Sequence, residues 1–308
     1  RPAHSLRMSA TAPAVAPPRR SPGPVSTTPG PPRRRNLFAR FVRNRAGVGA
    51  LLVVLILVIL AGVGESIAPY DWRAQDITGR FAGPSPRHLL GTDELGRDIF
   101  SRLLYGARFS LAMGVGAVTL SFSIGTLVGV LAGFYRRLDG PIMRLVDVMM
   151  AFPGILLAIA IVAALGPGLT SAIIAIGVNE IPGFARLNRS MLLSLRERDF
   201  VVAARVLGAP DRVVLGRHVL LNLVSPLIVY GSLRISTAIL VGATLSFLGL
   251  GVQPPVPEWG AMVSTARQYI ATAPHTFVYP TLAIFVTVIA FNLLGDALRD
   301  TFDPTLKD

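Results

Sequence analysis

Long stretches without a charged residue dominate the chain. A bilayer core of roughly 30 Å needs about 20 apolar residues in an α-helix, and a helix is favoured because lipid offers no partner for an unpaired backbone N–H or C=O. Four stretches are uncharged and long enough: 46–64, 109–135, 148–179 and 276–295. The third is too long for one span and is interrupted by Gly166-Pro167-Gly168, and a further apolar run covers 219–247. The pattern therefore predicts an all-α integral membrane protein with six transmembrane helices at about 46–68, 108–134, 141–165, 169–185, 219–247 and 277–294.

The distribution of Arg and Lys predicts the orientation of these helices. With both termini in the cytoplasm, 22 of the 30 Arg and Lys residues lie on the cytoplasmic side and seven lie outside, which leaves Arg234 within a span. Cytoplasmic loops of membrane proteins carry such an excess of positive charge. The chain then has an extracytoplasmic segment at 69–106, here called the outer segment, and a cytoplasmic loop at 186–217.

The first 36 residues differ in composition from the rest. They are rich in Pro, Ser, Ala and Arg, and such a segment cannot bury enough apolar area to offset chain entropy, so we predict a disordered cytoplasmic tail. The apolar run that follows could be a secretory signal, but the long tail before it and the lack of an A-x-A cleavage site favour an uncleaved helix.

The net charge of +13 and the pI near 11.3 raise the possibility of nucleic-acid binding. Only 15% of the residues are charged, however, against about 25% in soluble proteins, and the topology already accounts for the positive excess. The Arg residues before the first span are suited to contact with anionic membrane lipid. We therefore predict no nucleic-acid partner.

The chain lacks the residues for binding ATP or a metal by known motifs. Lys307 is the only lysine and no Gly-rich loop precedes it, so a phosphate-binding G-x-x-x-x-G-K-[ST] loop is absent. There is no Cys, and the four His residues are scattered, so no metal site is predicted. If transport is driven by ATP, partner subunits bind the ATP and Mg, and this chain carries no cofactor and no catalytic residue.

A short helix is predicted within the cytoplasmic loop, over 199–207. Asp199 can cap its start, Gly208 ends it, and Pro210 follows as a helix breaker. Ala203 and Ala204 would let another surface approach closely, while other members of the segment, Phe200 and Leu207, could fill pockets in that surface. By these residues alone, docking into a partner's groove and lying on the lipid headgroups remain equally open.

Several motifs resemble those of one protein family. The loop pattern Ala203-Ala204-x-x-x-Gly208, followed by the run at 218–222, resembles the "EAA" loop of ABC importer permeases. The outer segment contains HLLGTDELGRD at 88–98 and SRLLYGAR at 101–108, and the C-terminal half contains LSFLGLGVQPP at 245–255 and NLLGDALRD at 292–300. These runs resemble the DppC/OppC-type dipeptide and oligopeptide permeases over roughly 36–304.

That resemblance implies a fold, partners and site residues. It implies the MetI-like fold of type I ABC importers, with a core domain over 107–300, in a bacterial cytoplasmic membrane. The implied partners are a homologous DppB/OppB-like permease, two ABC ATPase subunits and an extracytoplasmic peptide-binding protein. Residues implied to couple to an ATPase are Asp199, Phe200, Ala203, Ala204, Arg205, Leu207 and Gly208. The chain departs from the loop motif at Val202, where the family has Glu, and at Leu221, where it has Pro.

Two charged residues lie within predicted spans, where a charge must face protein or water. Glu180 and Arg234 could therefore line the translocation path. The alternatives are that Glu180 lies near the cytoplasmic boundary and pairs with Arg186, which we favour, and that Arg234 pairs with a partner subunit.

The outer segment carries a second group of candidate residues, which could gate the path or contact a delivery protein, although structural hydrogen bonding is the favoured role. They are Gly91, Thr92, Asp93, Gly96, Arg97 and Asp98.

The function that these observations favour is the permease subunit of an ATP-driven importer of di- or oligopeptides. Close relatives of this type also import glutathione or nickel complexes, so the cargo stays open. A self-contained secondary transporter is the rival, but such proteins usually show internal repeats and paired intramembrane carboxylates, neither of which is evident. A membrane enzyme is disfavoured because the sequence shows no nucleophile–base pair.

Overall fold

The computed structural model describes residues 37–210 and 213–302. The predicted disordered tail, 1–36, lies outside these residues, as do the side chains of Arg205 and of 217–219. The described part is mostly helical and contains no strand, only an isolated bridge between Thr92 and Asp98. Its α-helices are α1 Leu37–Arg43, α2 Arg45–Ile67, α3 Ile99–Phe134, α4 Arg136–Ala151, α5 Gly154–Leu165, α6 Leu169–Arg196, α7 Asp199–Val206, α8 Leu220–Phe247, α9 Trp259–Ala266 and α10 Pro274–Phe302.

Three short helical turns complete these elements: 3₁₀ turns at Ile77–Gly79 and Arg267–Tyr269, and a π-helical stretch at Val214–Val219 that leads into α8. The outer segment links α2 to α3, and its last eight residues already belong to α3. The α-helical structure and the membrane-spanning character agree with the fold class that the sequence predicts.

Within the described residues, four helical segments are long and apolar enough to cross a membrane. They are Arg45–Ile67, Ile99–Phe134, Val214–Phe247 and Pro274–Phe302, and a fifth arises if α4 and α5 together form one span. Helix α6, with 28 residues, has the length of a sixth span but carries Glu180 and Arg186 in its middle. The six predicted spans thus comprise four apolar helices, one bent pair and one helix with internal charges.

The third predicted span, 141–165, is not one straight helix. Helices α4 and α5 meet at an angle of 93°. The break falls at Phe152 and Pro153, because proline lacks the N–H that would continue the helix and forces the preceding residue into an extended conformation. Only α5 is apolar throughout, and its 12 residues would extend about 18 Å, less than the bilayer core.

Helix α3 lies at the centre of the bundle and packs closely against α6. Gly125, Gly129 and Gly133 recur every four residues on the contacting face of α3. A Cβ atom added to Gly129 would overlap the backbone of Ala185, and one on Gly125 would overlap the side chain of Phe184. These glycines therefore permit the helix approach that small-residue repeats provide in membranes.

Candidate functional site

The cytoplasmic loop forms the short helix α7 at the end of α6. The Arg198 carbonyl accepts hydrogen bonds from the backbone N–H groups of Val201 and Val202, at 2.9 and 3.1 Å. Arg198 therefore holds the N-cap position. Asp199, which the sequence predicts as the cap, is instead the first residue of the helix. A carboxylate in the first turn still favours the helix, because it complements the positive end of the helix dipole.

Helix α7 ends in a Schellman motif. Gly208 adopts φ +81°, a left-handed conformation that glycine tolerates, and the N–H of Ala209 donates to the carbonyl of Ala204 at 3.0 Å. Pro210 follows and cannot continue the helix. The chain therefore turns sharply after α7, and the last turn of that helix protrudes.

One side of α7 is anchored and the other is an exposed apolar surface. Val201 is fully buried in the main core cluster. Val206 and Leu207 are 82% and 86% exposed, and Phe200 and Val202 are about half exposed. The sequence analysis identified Phe200 and Leu207 but missed Val206, which the i, i+4 spacing from Val202 could have indicated.

The alanine pair of the loop motif divides between these two sides. Ala203 is exposed on the apolar surface, whereas Ala204 is partly buried and packs against the main core. Ala203 is therefore the member of the pair better placed for a close approach from outside, and Ala204 contributes to the packing of α7 against the bundle. Arg205 belongs to α7, but its side chain lies outside the described part of the structure.

The two charged residues of the predicted spans contact each other. The carboxylate Oε2 of Glu180, on α6, lies 3.5 Å from Nε of Arg234, on α8. Arg186 instead pairs with Asp147 of α4, at 2.8 Å between Nη2 and Oδ1. The favoured pairing of Glu180 with Arg186 is therefore wrong, and Arg234 has a partner within its own chain.

The guanidinium of Arg234 lies against an aromatic side chain. Its Cζ lies 4.7 Å from the ring centroid of Tyr230, one turn earlier on α8. The rings of Phe184, on α6, and Tyr230 pack edge to face, with 4.9 Å between their centroids. The guanidinium thus lies on an aromatic face that is itself braced by the neighbouring helix.

A cavity of about 850 Å³ opens between α6, α8 and the end of α10. We call it the inner cavity, because it lies at the α7 end of the bundle. It is lined by Leu187, Leu195, Arg198, Asn222, Ser225, Pro226, Val229, Tyr230, Leu233, Arg299 and Phe302. Its volume falls in the range of sites that hold small molecules.

The outer segment is held by a dense polar network. Oδ2 of Asp93 accepts a hydrogen bond from Nε of Arg97 at 2.7 Å and lies 3.4 Å from Nε of Arg102. Nη2 of Arg97 also donates to Oε1 of Glu94 at 2.6 Å. Because all four side chains are largely buried, these pairs compensate charges that would otherwise be costly to desolvate.

The remaining residues of the outer motif have structural roles as well. Asp98 caps α3 by accepting from the N–H and the hydroxyl of Ser101, and its other oxygen lies 2.9 Å from Nδ1 of His88. Thr92 donates its hydroxyl to the carbonyl of Gly79 at 2.6 Å. Hydrogen bonding within the segment is thus the role that the geometry favours.

Two glycines of the motif have backbone conformations that other residues rarely adopt. Gly91 and Gly96 have φ values of +80° and +73°. A Cβ on Gly96 would overlap the carbonyl of Asp76, and one on Gly91 would overlap the carbonyl of Ala82. Both positions therefore require glycine on two independent grounds.

Burial shifts the pKa values of an acid and a base in this network in opposite directions. It raises the pKa of Glu94, with the charge of Asp93 adding to the effect. It lowers the pKa of Arg102 to about 10, with the charge of Arg97 adding to the effect. Arg102 remains protonated near neutral pH, so the network keeps two cations opposite its carboxylates.

Comparison with known proteins agrees with these features. The model of the family "Binding-protein-dependent transport system inner membrane component" matches 125–308, and that of the "N-terminal TM domain of oligopeptide transport permease C" matches 34–84. The chain belongs to this family of importer permeases, as its motifs indicate. It is a multi-pass protein of the bacterial inner membrane, and the ATPase activity of such transporters resides in separate subunits.

Individual relatives are similar over most of the chain. The chain is 49% identical, over 89% of its length and 91% of the relative's, to the glutathione transport system permease protein GsiD of Pectobacterium atrosepticum. It is 52% identical to the GsiD protein of Escherichia coli O6:K15:H31, over 88% and 90% of the two lengths.

A solved structure shares the fold at low sequence identity. A chain of the MetNI methionine ABC transporter, in inward-facing conformations, has a TM-score of 0.54 and 20% identity. The match covers 66% of this chain and 97% of that one. This similarity supports the MetI-like fold.

Proposed function

We propose that this chain carries glutathione or a similarly short peptide across the membrane, driven by ATPase subunits that dock on α7. The observation that carries the ATPase coupling is the apolar surface of α7. Val206 and Leu207 are more than four-fifths exposed at its protruding end. Burying each such side chain would contribute about 1.5 to 3 kcal/mol, so this surface suits a groove in a partner.

The complete transporter in this proposal has five parts. A second, homologous permease completes the path, two ABC ATPases bind ATP and Mg at the cytoplasmic face, and an extracytoplasmic binding protein delivers the peptide. Closure of the ATPases moves α7, and through it α6 and α8, so that the inner cavity alternates between the two sides of the membrane. The anchoring of Val201 in the core supports this transmission, because it ties α7 to the bundle.

Glutathione is the cargo that the comparisons favour. The similar proteins named glutathione transport permeases are 49–52% identical over nearly nine-tenths of the chain. Since glutathione is itself a tripeptide, this cargo falls within the peptide class that the sequence motifs indicate. A longer peptide or a nickel complex remains the competing cargo.

Uptake into reconstituted vesicles tests both parts of the proposal. The full complex should accumulate labelled glutathione only with ATP, and omission of the ATPase subunits should abolish uptake. Excess unlabelled glutathione should compete, while a nickel complex should not. Uptake by this chain without ATP or partners would contradict the coupling, and competition by a nickel complex alone would contradict the cargo.

A further inference from the structure

The inner cavity is lined by Tyr230, whose ring contacts a cation in the middle of α8, Arg234. Six residues of α8 line the cavity, and their spacing of three and four positions places them on one face of the helix. They are Asn222, Ser225, Pro226, Val229, Tyr230 and Leu233. Arg234 stands one turn beyond Tyr230, at the midpoint of the 28-residue helix. A molecule entering along this face from the α7 end therefore reaches the Tyr230–Arg234 pair last.

The ion pair leaves much of the Arg234 guanidinium available. Glu180 contacts Nε at 3.5 Å, which is longer than a hydrogen bond, and the side chain of Arg234 is 36% exposed whereas that of Glu180 is only 10% exposed. The side chain of Arg234 also hydrogen-bonds to that of Tyr230. Because a guanidinium has five N–H donors, donors remain for a further acceptor. Glu180 therefore compensates part of the charge and leaves several N–H donors of the guanidinium unoccupied.

The charged groups that the described residues contribute to the cavity lining are of one sign. Among its lining residues, Arg198 and Arg299 are the charged ones, and both are cations. A cavity with positive charge at its mouth and a guanidinium beyond its inner end attracts anions and disfavours cations. This polarity does not match a free divalent metal, but it matches a peptide with a carboxylate.

We propose that Arg234, held against Tyr230 and paired with Glu180, binds a carboxylate of the peptide during its passage. This site deepens the proposed function and rests on it. Arginine is suited to this role because its planar fork matches a carboxylate. The Glu180 carboxylate competes with the cargo, so that the bound peptide can leave again.

The test compares charged and neutral cargo in the reconstituted complex. We would measure uptake of glutathione and of two analogues, each with one carboxylate converted to an amide, at concentrations that saturate the binding protein. The ratio of acid to amide uptake then reports on the permease, because the binding protein contributes equally in every variant. Wild type should prefer glutathione over at least one amide by about tenfold or more.

Three variants distinguish a carboxylate site from a structural ion pair. Arg234→Gln should reduce the preference to about one. Glu180→Gln should preserve or increase it, because the guanidinium loses its competitor. The double variant, Arg234→Gln with Glu180→Gln, lacks both charges. If the pair is purely structural, uptake should be restored with the wild-type preference. If Arg234 binds the carboxylate, the preference should stay lost.

A matched control and clear contrary results complete the design. Arg186→Gln removes an arginine from an exposed pair on the same helix bundle and should leave the preference unchanged. An unchanged preference in the Arg234→Gln complex, or a restored one in the double variant, would overturn the site while leaving the importer function intact. Failure of wild type to take up glutathione would overturn the cargo and this site together.

Discussion

Gly96 shows how a single backbone position sets the shape of the outer segment. Its φ of +73° and its approach to the Asp76 carbonyl both exclude a side chain. We expect Gly96→Ala to lower the free energy of unfolding by at least about 2 kcal/mol, through backbone strain and steric overlap. Thermal unfolding of the detergent-solubilised protein measures this change.

Gly83→Ala is the matched control, because nothing lies within 4 Å of a Cβ at that position and its φ is not in the left-handed region. It should change stability by less than about 0.5 kcal/mol. Equal unfolding midpoints for the two variants would contradict the assignment of Gly96 as a required glycine.

Asp139 provides a pH-dependent contact between α4 and α6. Its Oδ2 accepts a hydrogen bond from Nη2 of Arg189 at 2.7 Å, and this contact lowers the pKa of the carboxyl group from its ordinary value of 3.8. Because folding lowers this pKa, the Asp139–Arg189 contact stabilises the folded protein fully above the ordinary carboxyl pKa. The stabilisation is lost as the pH falls through the pKa that Asp139 has in the folded protein. Asp139→Asn should therefore cost about 1 kcal/mol at pH 7, and this cost should decrease as the pH falls below the ordinary carboxyl pKa of 3.8.

Unfolding measurements from pH 7 to pH 3 check this prediction. Asp147→Asn serves as the control, because the Asp147–Arg186 pair is about half exposed or more on both sides and should contribute less. A constant difference between wild type and Asp139→Asn across this range would show that the contact does not depend on ionisation.

Among the helical elements, α7 has an exposed surface from which the effect of substitutions on ATPase docking can be predicted. Replacing both Val206 and Leu207 by Ser removes its most exposed apolar groups, so docking of the ATPases should weaken roughly a hundredfold, since each lost burial is worth at least about 1.4 kcal/mol. Insertion and folding should be unchanged, because neither side chain packs inside the chain.

Co-purification of the ATPase subunits and ATP-dependent uptake measure this effect. Leu89→Ser is the control, because it changes an exposed apolar residue of the outer segment, on the opposite side of the predicted membrane. Normal co-purification and uptake by the double Ser variant would refute the docking role of α7.

The helices also show what a sequence can and cannot predict. Helix α7 is predictable to within a residue, because Gly208 and Pro210 are local stop signals. The bend at Phe152–Pro153 was missed because the uncharged run that starts at Val148 continues across Pro153, and hydropathy does not report a change in helix direction. The Glu180–Arg234 contact joins α6 to α8, and it depends on how the two helices are rotated about their axes, which periodicity alone does not fix.

Taken together, the elements define a molecule with two chemically different ends. The α7 end carries an exposed apolar surface and the inner cavity, and the other end carries the polar network of the outer segment. The excess of Arg and Lys at the α7 end predicts that this end faces the cytoplasm. The proposed docking of ATPases on α7 requires that same orientation. One measurement of the topology therefore tests both the charge argument and the docking proposal.

The chain contains no cysteine, so single cysteines can report the orientation without background. Glu197 is exposed at the end of α6, near α7, and Leu89 is exposed on the outer segment. In intact cells a membrane-impermeant maleimide should label Leu89→Cys and not Glu197→Cys, and permeabilisation should make Glu197→Cys reactive. Labelling of Glu197→Cys in intact cells would place α7 outside the cell, where no ATPase could reach it, and the proposed coupling would fail with the topology.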